Sequence, residues 1–155
     1  MLNFAYGSNL DFKQARTRCP SAQFISKALL PDYRLCFPRN GVARGCGVAS
    51  VEPADGEHVW GVVYDIADVD VSKMDKAEDF DPNRPHEQNS YNRVQIPVLL
   101  DGNVNMPSTV SIYIAVPQAN PLLPNANYRD TIIRGARAWE LPVDYVKKLE
   151  AIIVS

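Results

Sequence analysis

Apolar and polar positions alternate with two different periods along this chain. Leu2 to Tyr6 is a short apolar run that breaks at once into Gly7-Ser8-Asn9, which predicts a buried strand ending in a tight turn. Asp11 through Arg18 carries helix formers, with Asn9 or Asp11 as cap and Pro20 as stop. Ala22 to Leu30 partly alternates and Tyr33 to Phe37 alternates cleanly, so two strands are expected on either side of a turn at Pro31-Asp32. Pro38 to Gly47 has the composition of a basic, glycine-rich loop. Gly47 to Val51 resumes strand character, and Ala54-Asp55-Gly56-Glu57 predicts a hairpin into His58–Ile66. That last run is almost continuously apolar, as in a central strand covered on both faces.

Downstream the period lengthens. A helix is expected from Asp68, a good N-cap, through Glu78 or Asp79. Phe80 to Asn89 contains two prolines and reads as an irregular, mobile loop. Tyr91–Leu100 and Pro107–Val116 are strands joined at Asp101-Gly102-Asn103, and Pro117 to Asn127 is a loop. From Tyr128 to Trp139, Ile132, Ile133, Ala136 and Trp139 fall on one helical face. Leu141-Pro142 breaks that helix, and Val143–Ile153 closes the chain with Val146, Leu149 and Ile153 inward. The pattern is α+β, six or seven strands with interspersed helices, in one domain over residues 1–155.

Composition narrows the function classes. With 46 % apolar and 22 % charged residues, the chain has the make-up of an ordinary globular protein, long enough to bury a core. A net charge of −2 without a basic stretch argues against a nucleic-acid or acidic-membrane binder. Arg34, Arg39 and Arg44 are the one local basic cluster. No apolar run approaches the ~20 residues of a membrane span, and no signal peptide is visible, so a cytoplasmic location is expected. Cys19, Cys36 and Cys46 are odd in number and lack C-x-x-C spacing, so neither a disulfide framework nor a zinc site is indicated. His58 and His86 have no carboxylate or cysteine neighbours at ligand or dyad spacing, so no metal is expected.

Two features carry candidate chemistry. A bend such as Gly7-Ser8-Asn9 at a strand end can leave backbone N–H groups pointing into one concavity, a site for a carboxylate or a developing oxyanion; a plain strand-to-helix turn is the alternative. On the helix from Asp68, Val71, Met74 and Glu78 share one face, so Glu78 ends a core-facing stripe near the helix C-terminus. Burial and the macrodipole both penalise its ionised form there, which raises the pKa and suits a proton shuttle. The alternative is a Glu78 that reaches solvent or pairs with an arginine. Asp75, one turn earlier, is the competing acid, with Lys73 and Lys76 as expected surface partners.

Tyr6-Gly7-Ser8-Asn9, then Trp60-Gly61-Val62-Val63-Tyr64 leading to Met74-Asp75-Lys76-Ala77-Glu78, then Tyr128-Arg129-Asp130-Thr131-Ile132-Ile133-Arg134-Gly135-Ala136 before Leu141-Pro142, resemble the gamma-glutamylcyclotransferase family in motif and in order. The resemblance implies a small mixed β-barrel with flanking helices and a cavity at one end. It implies that the Tyr6-Gly7-Ser8-Asn9 loop holds a gamma-glutamyl substrate, that Glu78 is the catalytic acid/base, and that Tyr91, Tyr113 and Tyr128 complete the binding residues. It further implies a cofactor-independent ring closure that releases 5-oxoproline, with Ser8 positioning substrate, and it leaves room for a homodimer. A non-catalytic gamma-glutamyl-binding or regulatory domain, and acyl transfer through Ser8 or a cysteine, are the competing readings. The chain departs from the family in having Asp79 where glycine often follows the glutamate, and in a longer, proline-rich Phe80–Ser90 segment.

Overall fold

The computed structural model describes residues 1–155. In chain order it contains β1 (Leu2–Ala5), a 3-10 turn (Ser8–Leu10), α1 (Phe12–Arg18), β2 (Gln23–Gly41), β3 (Cys46–Asp65), α2 (Asp68–Ala77), a second 3-10 turn (His86–Gln88), β4 (Tyr91–Leu100), β5 (Pro107–Ala115), α3 (Ala126–Ala138) and α4 (Val143–Glu150). The strands close into a barrel in the order β1-β3-β2-β4-β5. All neighbours are antiparallel except β1 and β5, whose parallel seam pairs Asn3 with Ser111 and makes the barrel mixed.

There are five strands, fewer than the pattern suggests, because two expected turns are not turns. β2 runs through Pro31-Asp32 and β3 runs through Ala54–Glu57. Pro31 pairs with His58 and Tyr33 with Pro53, so four residues on β3 bulge against the single Asp32 without reversing the chain. Gly56 takes φ +77° there and donates its N–H to Asp32 Oδ1 at 2.9 Å. Turn-forming residues thus bent a pair of long strands instead of ending them. The reversal lies at Val42–Gly45, between β2 and β3, so much of the segment read as a loop is a strand end.

β3 lies between β1 and β2, and Val59, Val62, Val63 and Tyr64 are fully buried, as the continuous apolar run requires. The core comprises 32 buried residues, with Met74 of α2 and Ile132 and Ala136 of α3 completely enclosed. Side chains of this size contribute about 1.5–3 kcal/mol each when buried, so Met74 anchors the helix that presents Glu78. α1 is capped by Asp11, whose Oδ1 accepts from the N–H groups of Lys13 and Gln14. α2 begins at Asp68 itself, and Ala67 occupies its N-cap without a side-chain bond. α4 stops at Glu150, so Ile153 lies beyond the helix and is exposed. Phe80–Ser90 is irregular but internally braced. Asn89, buried, accepts from Asp81 N and Arg84 Nε and donates to Asn92 Oδ1.

Candidate active site

Several chain segments end around one cavity of about 410 Å³. β1 delivers Tyr6 and the Gly7-Ser8-Asn9 turn, the end of α2 delivers Glu78, and β4, β5 and α3 deliver Tyr91, Tyr113 and Tyr128. All eight residues singled out in the sequence line it. The β2–β3 hairpin closes another side with Arg39, Arg44 and Ala49, and Arg18 reaches in from the end of α1.

The turn is held from behind. Tyr64 donates to Asn9 O at 2.8 Å and Trp139 Nε1 donates to Leu10 O at 2.9 Å. α3 packs directly against it because Gly135 has no side chain; a Cβ there would lie 2.4 Å from the Leu10 carbonyl carbon. Within the turn, Leu10 N bonds Gly7 O and Asp11 N bonds Ser8 O, while the leading N–H groups of a 3-10 turn have no partner inside it. Gly7 has a negative φ of −109°, so left-handed geometry is not what calls for glycine. Space is the reason, since a Cβ would meet Ala49 Cβ at 3.3 Å and Tyr128 Oη at 3.8 Å.

Glu78 caps the C-terminus of α2, with its N–H on Met74 O, and its side chain is only 15 % exposed. Asn9 Nδ2 donates to Glu78 Oε1 at 3.3 Å, and Arg18 Nη1 stands 3.6 Å from the same oxygen. Burial pushes the Glu78 carboxyl above its usual value, against the opposing pull of the Arg18 charge and the Asn9 bond. Glu78 therefore faces inward and also neighbours an arginine, so both readings of it hold in part.

Asp75 is not on this cavity. Both of its carboxylate oxygens accept from Arg93 Nη1, at 2.8 and 2.9 Å, and Oδ1 also accepts from Tyr113 Oη at 2.6 Å. The expected surface partners are otherwise engaged or absent: Lys73 bonds the buried Asp70 at 2.6 Å, which also accepts from Ser21 N.

The four tyrosines divide their roles. Tyr6 donates to Tyr113 O, Tyr91 to Ala49 O at 2.7 Å, and Tyr113 to Asp75. Tyr128 Oη instead accepts from Ala49 N at 2.9 Å, which leaves its own proton free beside Gly7. Burial raises the pKa of all four, Tyr128 to about 12, so they are neutral donors near pH 7. Ser8 Oγ accepts from Gln14 Nε2 at 2.8 Å, an amide that cannot take up a proton, so no base activates it as a nucleophile. None of the three cysteines lines the cavity, and burial pushes the thiols of Cys19 and Cys36 up to about 11.

Arg18, Arg39 and Arg44 line the cavity and Gln14 bonds Ser8 and Asn9, yet the sequence pattern singles out none of the four as a site residue. Only the basic cluster hinted at two of them, and nothing in the spacing from Arg18 to Glu78 signals their meeting across 60 positions of chain.

Residues 58–149 match the model of the AIG2-like family. The gamma-glutamylcyclotransferase of Bos taurus is 31 % identical over 97 % of this chain and 78 % of its own length. That of Homo sapiens is 29 % identical over the same shares. The chain belongs to the AIG2-like gamma-glutamylcyclotransferase family. A solved structure of a gamma-glutamyl cyclotransferase superposes with a TM-score of 0.87 at 28 % identity, covering 99 % of this chain and 88 % of that one. This AIG2-like protein is accordingly an enzyme of gamma-glutamylcyclotransferase type. It contains no helix long and apolar enough to cross a membrane.

The residue after Glu78 has a backbone conformation that would suit glycine. Asp79 adopts φ +49°, a left-handed conformation that glycine takes freely and aspartate tolerates. In exchange, its carboxylate accepts from Ser90 Oγ at 2.6 Å and pairs with Arg84 at 3.0 Å, fixing the start of β4 that carries Tyr91.

Proposed function

We propose that this enzyme closes the gamma-glutamyl moiety of its substrate into 5-oxoproline and releases the attached amine, with Glu78 as general acid/base. The observation that carries the reading is the meeting of a mostly buried carboxylate and the Gly7-Ser8 backbone on one cavity.

The substrate's α-amine attacks its own γ-carbonyl carbon, forming the ring C–N bond and moving the carbonyl π electrons onto oxygen. Glu78, as carboxylate, removes the ammonium proton; its raised pKa makes it a stronger base than an exposed glutamate. The protonated Glu78 then gives that proton to the departing nitrogen as the oxyanion electrons re-form the C=O bond and the exocyclic C–N bond breaks. The second proton of the ring nitrogen passes back through the Glu78 carboxylate to the released amine, leaving neutral 5-oxoproline nitrogen and an ammonium product. Nucleophile and electrophile share one molecule, so a bound reactive conformer accounts for several kcal/mol of the barrier.

The Gly7 and Ser8 amides serve the substrate carboxylate or the developing oxyanion, and the free Tyr128 proton offers one more donor at the same place. Ser8 and Asn9 position, through Gln14 and Glu78 respectively. A cytoplasmic enzyme on small gamma-glutamyl compounds is the setting this reading implies.

The test is product analysis of a gamma-glutamyl dipeptide or amine after incubation with the enzyme. Equimolar 5-oxoproline and free amine are expected. Free glutamate in place of 5-oxoproline would mean hydrolysis and overturn the proposed ring closure.

A further inference from the structure

The charges lining the cavity do not balance. Arg18 stands beside Glu78. Asp79, the other lining carboxylate, is committed to Arg84 and Ser90. Arg39 and Arg44 also line the cavity, and neither comes within ion-pair distance of any carboxylate of the protein.

Both are nevertheless held in place by neutral groups. Arg39 Nη1 donates to Val116 O at 3.1 Å. Arg44 Nη2 donates to Gln14 Oε1 at 2.6 Å, and its guanidinium lies over the Tyr128 ring, 5.1 Å from the centroid. An arginine carries five N–H donors, so each keeps most of its donors for a ligand. Arg34, the third member of the sequence cluster, differs: it points to the exterior and pairs with Glu52. A partly buried cation without a counter-ion costs solvation that an anionic ligand restores.

In the reaction proposed above, the Gly7-Ser8 turn serves the gamma-glutamyl half, through its carboxylate or the developing oxyanion. Two arginines on the β2–β3 hairpin then remain for the departing half. We propose that Arg39 and Arg44 make the enzyme selective for gamma-glutamyl dipeptides whose departing residue is itself acidic, one guanidinium meeting its α-carboxylate and the other its side-chain carboxylate. The inference rests on the gamma-glutamyl reading of the cavity and specifies its second subsite. Arg44 also ties that subsite to the first, since Gln14 Nε2 bonds Ser8 Oγ and Asn9 Oδ1 at 2.8 and 3.0 Å.

Gamma-glutamyl-glutamate and gamma-glutamyl-glutamine form the discriminating pair, being nearly isosteric and different by one charge. The wild-type enzyme is expected to favour the glutamate dipeptide in kcat/KM by about 10- to 100-fold, the size of one charge-assisted hydrogen bond, mostly through KM. The preference should shrink as ionic strength rises. Arg39→Gln and Arg44→Gln should each erode it, and the double variant should bring the ratio to within about twofold of unity. Equal turnover of the two dipeptides by the wild type, or a preference that survives in the folded double variant, would overturn the inference.

Calorimetric binding of both dipeptides to Glu78→Gln, with and without the arginine substitutions, separates this claim from the reaction itself. Arginine-dependent preference in binding without 5-oxoproline release in the wild type would sustain the subsite and sink the cyclisation. Turnover of both dipeptides without preference would do the reverse.

Discussion

Asn9 Nδ2 donates a hydrogen bond to Glu78 Oε1 across 3.3 Å, joining the turn after β1 to the end of α2, 69 residues away. The bond aims the carboxylate at the cavity shared with Gly7 and Ser8, and Arg18 moderates its charge from 3.6 Å. Asn9→Ala removes the only neutral donor on this carboxylate. A loss of kcat of about tenfold is expected, with the Glu78 pKa rising further because one of the influences that lower it is gone.

The raised Glu78 pKa sets the pH dependence. In the base role proposed for it Glu78 works ionised, so kcat/KM should climb with pH through a midpoint above the ordinary glutamate range. Stability runs the other way. The folded-state pKa exceeds the unfolded one, so the folded state binds the extra proton between them, and Glu78 favours folding most below the unfolded pKa and least above the folded pKa. Glu78→Gln should therefore match or exceed the wild-type Tm at pH 7, with any advantage shrinking toward pH 4. Thermal scans at the two pH values check the sign.

Asp75 offers the sharpest internal comparison. It is equally inward, yet its oxygens are taken by Arg93 and Tyr113 and it does not line the cavity. Asp75→Asn should cost about 1–3 kcal/mol of stability by weakening a partly buried pair, measured by urea unfolding. Its kcat should stay within about tenfold of wild type, whereas an acid acting directly on substrate would lose far more.

Gly135 tests whether the packing of α3 matters to the site. A methyl group there meets backbone atoms of Leu10 and Asp11 at 2.4 and 2.7 Å, which no side-chain rotation relieves. Gly135→Ala should destabilise by about 1–3 kcal/mol and push the turn toward the cavity. A displacement near 1 Å at a positioned site can cost about 100-fold in rate, so kcat/KM should fall well beyond what stability alone explains.

Much of this was legible before the structure. The inward stripe of Val71, Met74 and Glu78, the β1 break at Gly7 and the helical face of Ile132, Ile133 and Ala136 follow from period and from turn chemistry, which are local. The strand count is not legible in sequence because Pro31-Asp32 and Ala54–Glu57 have turn composition whether they reverse a chain or bulge a continuing strand; only the pairing partner decides. Helical spacing offers Asp75 only Lys73 and Lys76 as partners, because Arg93 and Tyr113 lie on β4 and β5 and are brought near by barrel closure. The approach of Arg18, Arg39 and Arg44 to the cavity is hidden for the same reason. Ile153 kept the helical period past the point where α4 ends.

Turnover by Glu78→Gln is the most direct measurement. With a gamma-glutamyl dipeptide that the wild type converts, 5-oxoproline release should fall by about 100- to 10,000-fold in kcat, the usual contribution of a general acid/base, while calorimetry still detects dipeptide binding and circular dichroism an intact fold. Wild-type kcat in the folded Glu78→Gln protein would contradict the assignment of Glu78 and the mechanism built on it.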